Sequence, residues 1–373
     1  MSDAPGRDPS TTPLRVTPPS GGRRRRLVIG AAVALLVVIG VVAAVVVGRD
    51  PAPSGGTGPT ASPPPADGLG TDVPITVDGD RILRNGQPWW LLGYNSFVWS
   101  GNCGDEDERM SAEQVDAWFS SMRHDGHGAV RLFFFENWDI DRLDAAVESA
   151  KRHDLYLTIT LDDAIAGCGE TEKDESWFDD QGERDAFRAH MTSLLERYRG
   201  EPTIAWFEYF NEPSYEGGAL REFYDEMGAA AEEVDPDRLF ATGTIAPYAV
   251  GEDADFATLN ESPGVDIASL HEYDENEVES NHGPDVRGGS AGKPVIVGEF
   301  GLYASESGEE CDRDFAERAE QARLKAEAYT TGAGYAGAMM WAWQPGPDNA
   351  SECEYGNLDV DPTVQEMLRT YTP

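Results

Sequence analysis

Between residue 90 and the C-terminus the chain alternates apolar runs of strand length with amphipathic runs of helix length, and few folds accommodate that order. The strand-like runs are Trp90–Asn95, Ala129–Phe135, Tyr156–Leu161, Ile204–Phe210, Leu239–Thr244, Ile267–His271, Val295–Phe300 and Ala338–Trp343. Most are apolar almost throughout, as strands covered on both faces must be. The segments between them carry helix signals. Ser111 and Gln114 have the spacing of a capping box, and Val115, Trp118, Phe119 and Met122 then share one face. Asp139–His153, the stripe Phe187, Met191, Leu194, Leu195 and Tyr198, Leu220–Val234 and Phe315–Thr331 read as helices too, whereas the connections after the fifth and sixth strands carry no clear helical period. Eight such units predict an α/β fold, a (β/α)8 barrel with a parallel sheet. A short hairpin, Ile75–Val77 and Arg81–Leu83 about Asp78-Gly79, precedes it. No G-x-G-x-x-G or Walker loop follows a strand, which weighs against an open nucleotide-binding sheet.

The N-terminal part is of a different kind. Residues 27–47 form an uncharged apolar run behind Arg23, Arg24, Arg25 and Arg26. As a helix rising about 1.5 Å per residue the run is about 31 Å long, enough to cross a hydrocarbon core of about 30 Å. The arginines place the tail 1–26 in the cytoplasm, residues 27–48 across the membrane as a signal anchor, and the rest outside; a cleaved signal peptide followed by secretion is the rival reading. Residues 49–71, rich in Pro, Gly, Ser and Thr, read as a solvated linker, so the globular domain is expected over 72–373. The formal net charge is −39, and beyond residue 70 there are 22 basic against 64 acidic groups. A field of that sign repels nucleic acid and favours a neutral or cationic substrate.

In a parallel barrel the chemistry sits at the C-terminal ends of the strands. The fourth run leads into Asn211-Glu212-Pro213 and the seventh ends in Glu299-Phe300-Gly301. The first ends at Asn95, the second carries Arg131, the sixth ends in His271-Glu272-Tyr273, and the eighth holds Trp341 and Trp343. Two carboxyl groups facing each other across a barrel mouth suit glycosidic bond cleavage, in which one stays protonated for the leaving group and the other is ionised.

Asn-Glu-Pro after strand four, Glu-Phe-Gly after strand seven, His-x-Tyr after strand six and Trp on strand eight together resemble glycoside hydrolase clan A, and within it family 5, which contains cellulases and β-mannanases. The resemblance spans residues 73–373. It implies Glu212 as acid/base and Glu299 as nucleophile, with Arg131 orienting Glu299, Asn211 on the sugar 2-hydroxyl, Tyr273 donating to Glu299 and His271 near Glu212. Trp341, or else Trp343, would lie under the sugar at the cleavage point. Asn95 with Tyr94, Trp99 and Trp138 are further expected wall residues. Many members carry a histidine near the end of strand three; this chain has Asp162-Asp163, which leaves open a contact from either to a substrate hydroxyl or amine. Cys103, Cys168, Cys311 and Cys353 all fall in loops of the catalytic face, and in an exported domain the pairs Cys103–Cys168 and Cys311–Cys353 would each join nearby loops.

Glu201-Pro-Thr-Ile-Ala-Trp, Asp235-Pro-Asp-Arg-Leu and Val265-Asp-Ile-Ala-Ser-Leu-His resemble phrases of the mannanase branch, so β-1,4-mannan leads among substrates. Other β-glycans, a transglycosylase of the same clan and a non-catalytic carbohydrate-binding surface protein are the alternatives. No cofactor and no metal are expected, because the two-carboxylate reaction needs neither. The expected partners are a polysaccharide and, through the N-terminal helix, a membrane, with no nucleic acid; the chain is expected to be a monomer.

Overall fold

The computed structural model describes residues 70–96, 98–100, 109–124, 128–167, 172–214, 217–251, 253–273, 283–305, 308, 311, 313–342 and 362–371. The apolar run 27–47, the linker to residue 69, Trp343 and three of the four cysteines lie outside them. Among the described residues no helix is long and apolar enough to cross a membrane.

Eight parallel strands form one sheet: β4 (Leu91–Ser96), β5 (Ala129–Phe133), β6 (Tyr156–Thr160), β7 (Ile204–Glu208), β8 (Phe240–Ala241), β9 (Ala268–Glu272), β10 (Val295–Phe300) and β11 (Gly337–Met340). Their order is β8-β7-β6-β5-β4-β11-β10-β9, and a parallel bridge from Ala241 to Ile267 joins its two ends. The Ile267 N–H donates to the Phe240 carbonyl at 3.1 Å and that of His271 to Ile245 at 2.8 Å along the same seam. The sheet therefore curls into a (β/α)8 barrel. Strand β8 keeps only two residues of the six-residue run because Gly243 leaves the extended region, at φ +72°, where a Cβ would stand 1.7 Å from the Phe210 carbonyl oxygen.

The described helices are α1 (Ala112–His124), α2 (Ile140–Arg152), α3 (Glu175–Asp179), α4 (Gln181–Arg197), α5 (Gly217–Val234), α6 (Asp253–Asn260), α7 (Gly283–Gly289), α8 (Phe315–Glu327) and α9 (Pro362–Thr370). The Ser111 capping box forms with both hydrogen bonds, at 2.7 and 3.2 Å, and Asp139 caps α2 by accepting from the Asp141 N–H. Helices α6 and α7 follow the fifth and sixth barrel strands, where the sequence has no clear period. Both are short, and burial rather than amphipathic pattern holds their apolar residues Phe256, Leu259 and Val286.

The hairpin continues into a third strand. Strands β1 (Ile75–Asp78), β2 (Arg81–Arg84) and β3 (Gln87–Pro88) form an antiparallel sheet, and Asn85 and Gly86 both take the positive φ that a tight two-residue turn needs. Ile75 and Ile82 pack with Leu91, Ala129, Tyr156, Trp206, Ala241, Ile267, Ile296 and Met339 and close the barrel floor.

Strand parity then sets the barrel's contents. Counting in twos from the floor residues leads along β4 from Leu91 to Asn95, along β5 from Ala129 to Arg131 and Phe133, and along β6 from Tyr156 to Thr160. It leads from Trp206 to Glu208 on β7, from Ile267 to His271 on β9, and from Met339 to Trp341 beyond β11. The other parity, including Tyr94, Val130, Leu132, Leu157, Ile159 and Phe207, packs outward under the helices. An apolar floor and a polar upper layer are thus one pattern.

Candidate active site

At the centre of the upper layer lies Arg131, only 1% exposed. Its Nη1 donates to Glu299 Oε1 at 2.5 Å and to Asn95 Oδ1 at 2.8 Å. Its Nε donates to Glu208 Oε1 at 2.9 Å, and Nη2 donates to the same oxygen and to Asn211 Oδ1 at 3.0 Å. Asn95 is fixed in turn by donating Nδ2 to the Gly298 carbonyl at 2.9 Å. Thr160 donates to Glu208 at 3.0 Å. A buried guanidinium needs this many acceptors, since an unpaired charge there would be strongly unfavourable.

Glu299 sits against the parity of its strand. Ile296 faces the floor, so position 298 should face inward next. Between Val297 and Glu299 the pairing with β9 shifts, from Val297 beside Leu270 to Glu299 beside His271, leaving Gly298 as the extra residue. This bulge re-aims Glu299 into the barrel. A glycine suits the position because a Cβ there would lie 3.0 Å from His271 Nε2. Tyr273 Oη donates to Glu299 Oε2 at 2.7 Å.

Glu212 lies on the turn after β7, at φ +52°, a conformation that side-chain-bearing residues rarely adopt. Its N–H donates to the Gly243 carbonyl at 3.0 Å, and its Oε1 lies 2.8 Å from His271 Nδ1. The preceding Asn211 is tied to strand three: its N–H donates to the Asp162 carbonyl at 2.8 Å, and its Nδ2 donates to Asp163 Oδ1 at 3.2 Å. Asp163 also accepts from the N–H groups of Ile165 and Gly167, while Asp162 accepts from the Asp163 N–H and pairs with Lys173 at 3.4 Å. Both aspartates are therefore built into the loops that hold Asn211 and Glu212 in place.

One oxygen each of Glu212 and Glu299 and one nitrogen of His271 lie within 4.8 Å of one another, all buried. Three such donors have the spacing of a metal site, and one of them, Glu299, is already paired with Arg131. Burial raises the Glu212 pKa first and the charge of Asp163 adds to it; Arg131 opposes both, and the outcome is about 7. Burial and then the charge of Glu212 push Glu299 upward as well, and its pKa stays above the usual carboxylate range although Arg131 and the Tyr273 hydroxyl pull against them. Two carboxylates this close share a titration, and the shared proton belongs on Glu212, which accepts no bond from Arg131 or Tyr273. Burial lowers the His271 pKa, so the ring is neutral. Its proton belongs on Nδ1, with carboxylate oxygens at 2.8 and 3.6 Å.

Trp341 packs with Phe133, Phe135 and Ala342 in an aromatic wall that Trp138, Tyr273 and Tyr303 flank. Its ring meets Phe133 edge-on at 6.0 Å, and its backbone N–H donates to the Phe300 carbonyl at 2.8 Å, which sets the residue beside Glu299. Two expected wall residues are corrected. Tyr94 and Trp99 are fully buried in the layer between sheet and helices, Tyr94 because its parity is opposite to Asn95 and Trp99 with its indole on the Phe133 carbonyl at 3.0 Å. Trp343, Cys103, Cys168 and Cys353 lie outside the described residues. Cys311 is disulfide-bonded, and the expected pairings fall outside the described residues. The sequence reading overlooked Glu208 and Thr160; the signal for Glu208 was its place two residues after Trp206 in a strand of known inward parity.

Residues 85–346, more than two thirds of the chain, match the family model for cellulase, glycosyl hydrolase family 5. Mannan endo-1,4-beta-mannosidase 2 of Oryza sativa subsp. japonica is 26% identical over 337 residues, covering 70% of this chain and 75% of the relative. Among solved structures, the endo-1,4-beta-mannanase of Rhizomucor miehei superposes with a TM-score of 0.61 at 17% identity, covering 79% of this chain and 97% of its own. The catalytic domain of an endoglucanase of Thermobifida fusca does so with a TM-score of 0.54 at 17% identity, covering 79% and 97%.

Proposed function

The chain belongs to glycosyl hydrolase family 5, and from that premise we propose that it is a retaining hydrolase of β-1,4-mannan. The observation that carries the mechanism is the buried pair Glu212 and Glu299, with oxygens within 4.8 Å and only one of them bonded to Arg131. Oxygens that close favour the carboxyl separation of about 5–5.5 Å at which the second carboxylate attacks directly over the roughly 6.5–9.5 Å that leaves room for a water. Glu299, held ionised by Arg131 and Tyr273, attacks the anomeric carbon. Glu212, protonated below a pKa of about 7, gives its proton to the departing glycosidic oxygen. Glu212 then takes a proton from water, which attacks the same carbon and releases Glu299. Asn211 offers its remaining amide hydrogen to the sugar 2-hydroxyl, and Trp341 walls the sugar on the Glu299 side.

Mannan as substrate is supported by the named activity of the rice and fungal relatives and by the three mannanase-like phrases of the sequence. The test is reducing-end release from β-mannan, carboxymethyl-cellulose and xylan by the wild-type chain, Glu212→Gln and Glu299→Gln. Activity on mannan should fall by about a thousandfold or more in both variants, the scale of removing an essential acid or nucleophile. Activity confined to another polymer would move the substrate and leave the mechanism; wild-type activity retained by either variant would overturn the site. We also propose that residues 27–48 anchor the domain to the outer face of a membrane, for which the apolar length and the four preceding arginines speak.

A further inference from the structure

The third barrel strand leads into a buried carboxylate that neither displacement uses. Asp163, 3% exposed, stands just past β6, where a parallel bridge pairs it with Asn211 beyond β7. The Ala164 N–H donates to the Asn211 carbonyl at 3.0 Å, and the Asn211 N–H donates to the Asp162 carbonyl at 2.8 Å. Backbone pairing thus continues past both strands and holds the side chains of Asp163 and Asn211 in register. Asp163 is itself held by the N–H groups of Ile165, at 3.5 Å, and Gly167.

The Asn211 amide spans two groups of opposite character. Its Oδ1 accepts from Arg131 Nη2 at 3.0 Å, and its Nδ2 donates to Asp163 Oδ1 at 3.2 Å. A guanidinium can only donate and a carboxylate can only accept, so turning the amide over would set donor against donor and acceptor against acceptor. An amide at position 163 would release that lock, because it can present either kind of atom. The lock commits one Nδ2 hydrogen to Asp163 and leaves the other for the sugar 2-hydroxyl. The same carboxylate lies close to Glu212, the residue after Asn211. After burial, the charge of Asp163 is the largest influence raising the Glu212 pKa, ahead of Glu208, with Arg131 opposing. His271, Glu299 and, from the turn after β8, Tyr248 are the other titratable groups facing Glu212. Asp162 differs from its neighbour in that its charge is paired with Lys173, at 3.4 Å.

We propose that Asp163 is a positioning residue that locks Asn211 towards the sugar 2-hydroxyl and sets a negative charge beside the acid Glu212. The inference rests on the hydrolase reading above. Its test compares wild type, Asp163→Asn, Asp163→Glu and Asp162→Asn as full chains. The readouts are the pH dependence of kcat/KM on mannohexaose, and the loss of rate when an aryl β-mannobioside lacks the 2-hydroxyl on the attacked sugar. Asp163→Asn should move the alkaline limb to lower pH by about one unit, since an acid relieved of a like charge gives up its proton sooner. It should also shrink the 2-hydroxyl effect, from about a hundredfold in wild type to about tenfold. Asp163→Glu keeps the charge but displaces the oxygen, so it should shrink the hydroxyl effect and leave the limb in place. Asp162→Asn should leave the limb unmoved. An unmoved limb in Asp163→Asn, an equal shift in Asp162→Asn, or a wild-type hydroxyl effect in both Asp163 variants would overturn the proposal while leaving the hydrolase intact. Should Asp163→Asn fail to fold, the hydroxyl effect in Asp163→Glu decides. If the wild type cleaves a β-glucan or xylan instead, the matching hexaose and aryl bioside give the same decision, and only the mannan assignment falls. Cleavage of none of these glycans would overturn both.

Discussion

As the proposed acid, Glu212 carries the strongest demand at the scale of a single residue, because that role requires it to stay protonated at a pH where a free glutamic acid is ionised. Its pKa of about 7 comes from burial and neighbouring negative charge, with Arg131 opposing. A folded-state pKa above the unfolded one gives stability that is present at low pH. It is lost as pH rises from the unfolded value of about 4.5 through 7, because the native state binds the extra proton there. The shift corresponds to about 3 kcal/mol. Denaturant titrations should therefore find Glu212→Gln more stable than wild type by up to this amount at pH 8, with the gap closing towards pH 4. A constant gap across that range would show that Glu212 is not perturbed in this way. The residue scale was also where sequence was most legible for the reactive groups. Glu212, Glu299, Arg131, Asn211, His271 and Tyr273 converge in one cluster, each on a barrel strand or just past its C-terminal end. Glu208 escaped notice because an acidic residue inside an apolar run carries no motif; only knowing that Trp206 points inward reveals that Glu208 must as well.

The element scale decides whether those groups meet. The eight strands were readable because a strand covered on both faces is apolar along its whole length. Their ends were less so: the run at Leu239–Thr244 contracts to Phe240–Ala241 once Gly243 turns, and no periodicity announces that. The bulge at Gly298 was equally silent, although it alone reverses the parity that would send Glu299 outward. Gly298 therefore has a specific role, leaving room for His271 where a Cβ would approach Nε2 to 3.0 Å. Gly298→Ala should lower kcat by about tenfold or more through displacement of His271 from Glu212 while melting remains cooperative, since misplacement near 1 Å is costly to catalysis. Wild-type kcat in that variant would remove the bulge from the account.

At the scale of the molecule, a three-stranded cap closes the floor, so among the described residues access to Glu212 and Glu299 is from the rim that carries them. The strongly negative charge suits a neutral polymer and keeps the domain away from anionic surfaces. Residues 49–71 would span at most about 80 Å when fully extended, so the proposed anchor confines the rim to polymers near the cell surface. Alkaline washing of membranes should leave the full chain in the pellet, and removal of residues 1–71 should release an active domain. A full chain recovered in the wash, or shortened and free in the medium, would replace the anchor by a cleaved signal peptide.

The central claim is that Glu299 attacks the sugar directly while Glu212 serves first as acid and then as base. The anomeric configuration of the first-formed product, followed by proton NMR before mutarotation during hydrolysis of mannohexaose, tests it most directly. Two displacements at one carbon predict the β-anomer appearing first, with the α-anomer growing in later. An α-anomer formed first would mean a single displacement by water and would contradict the account.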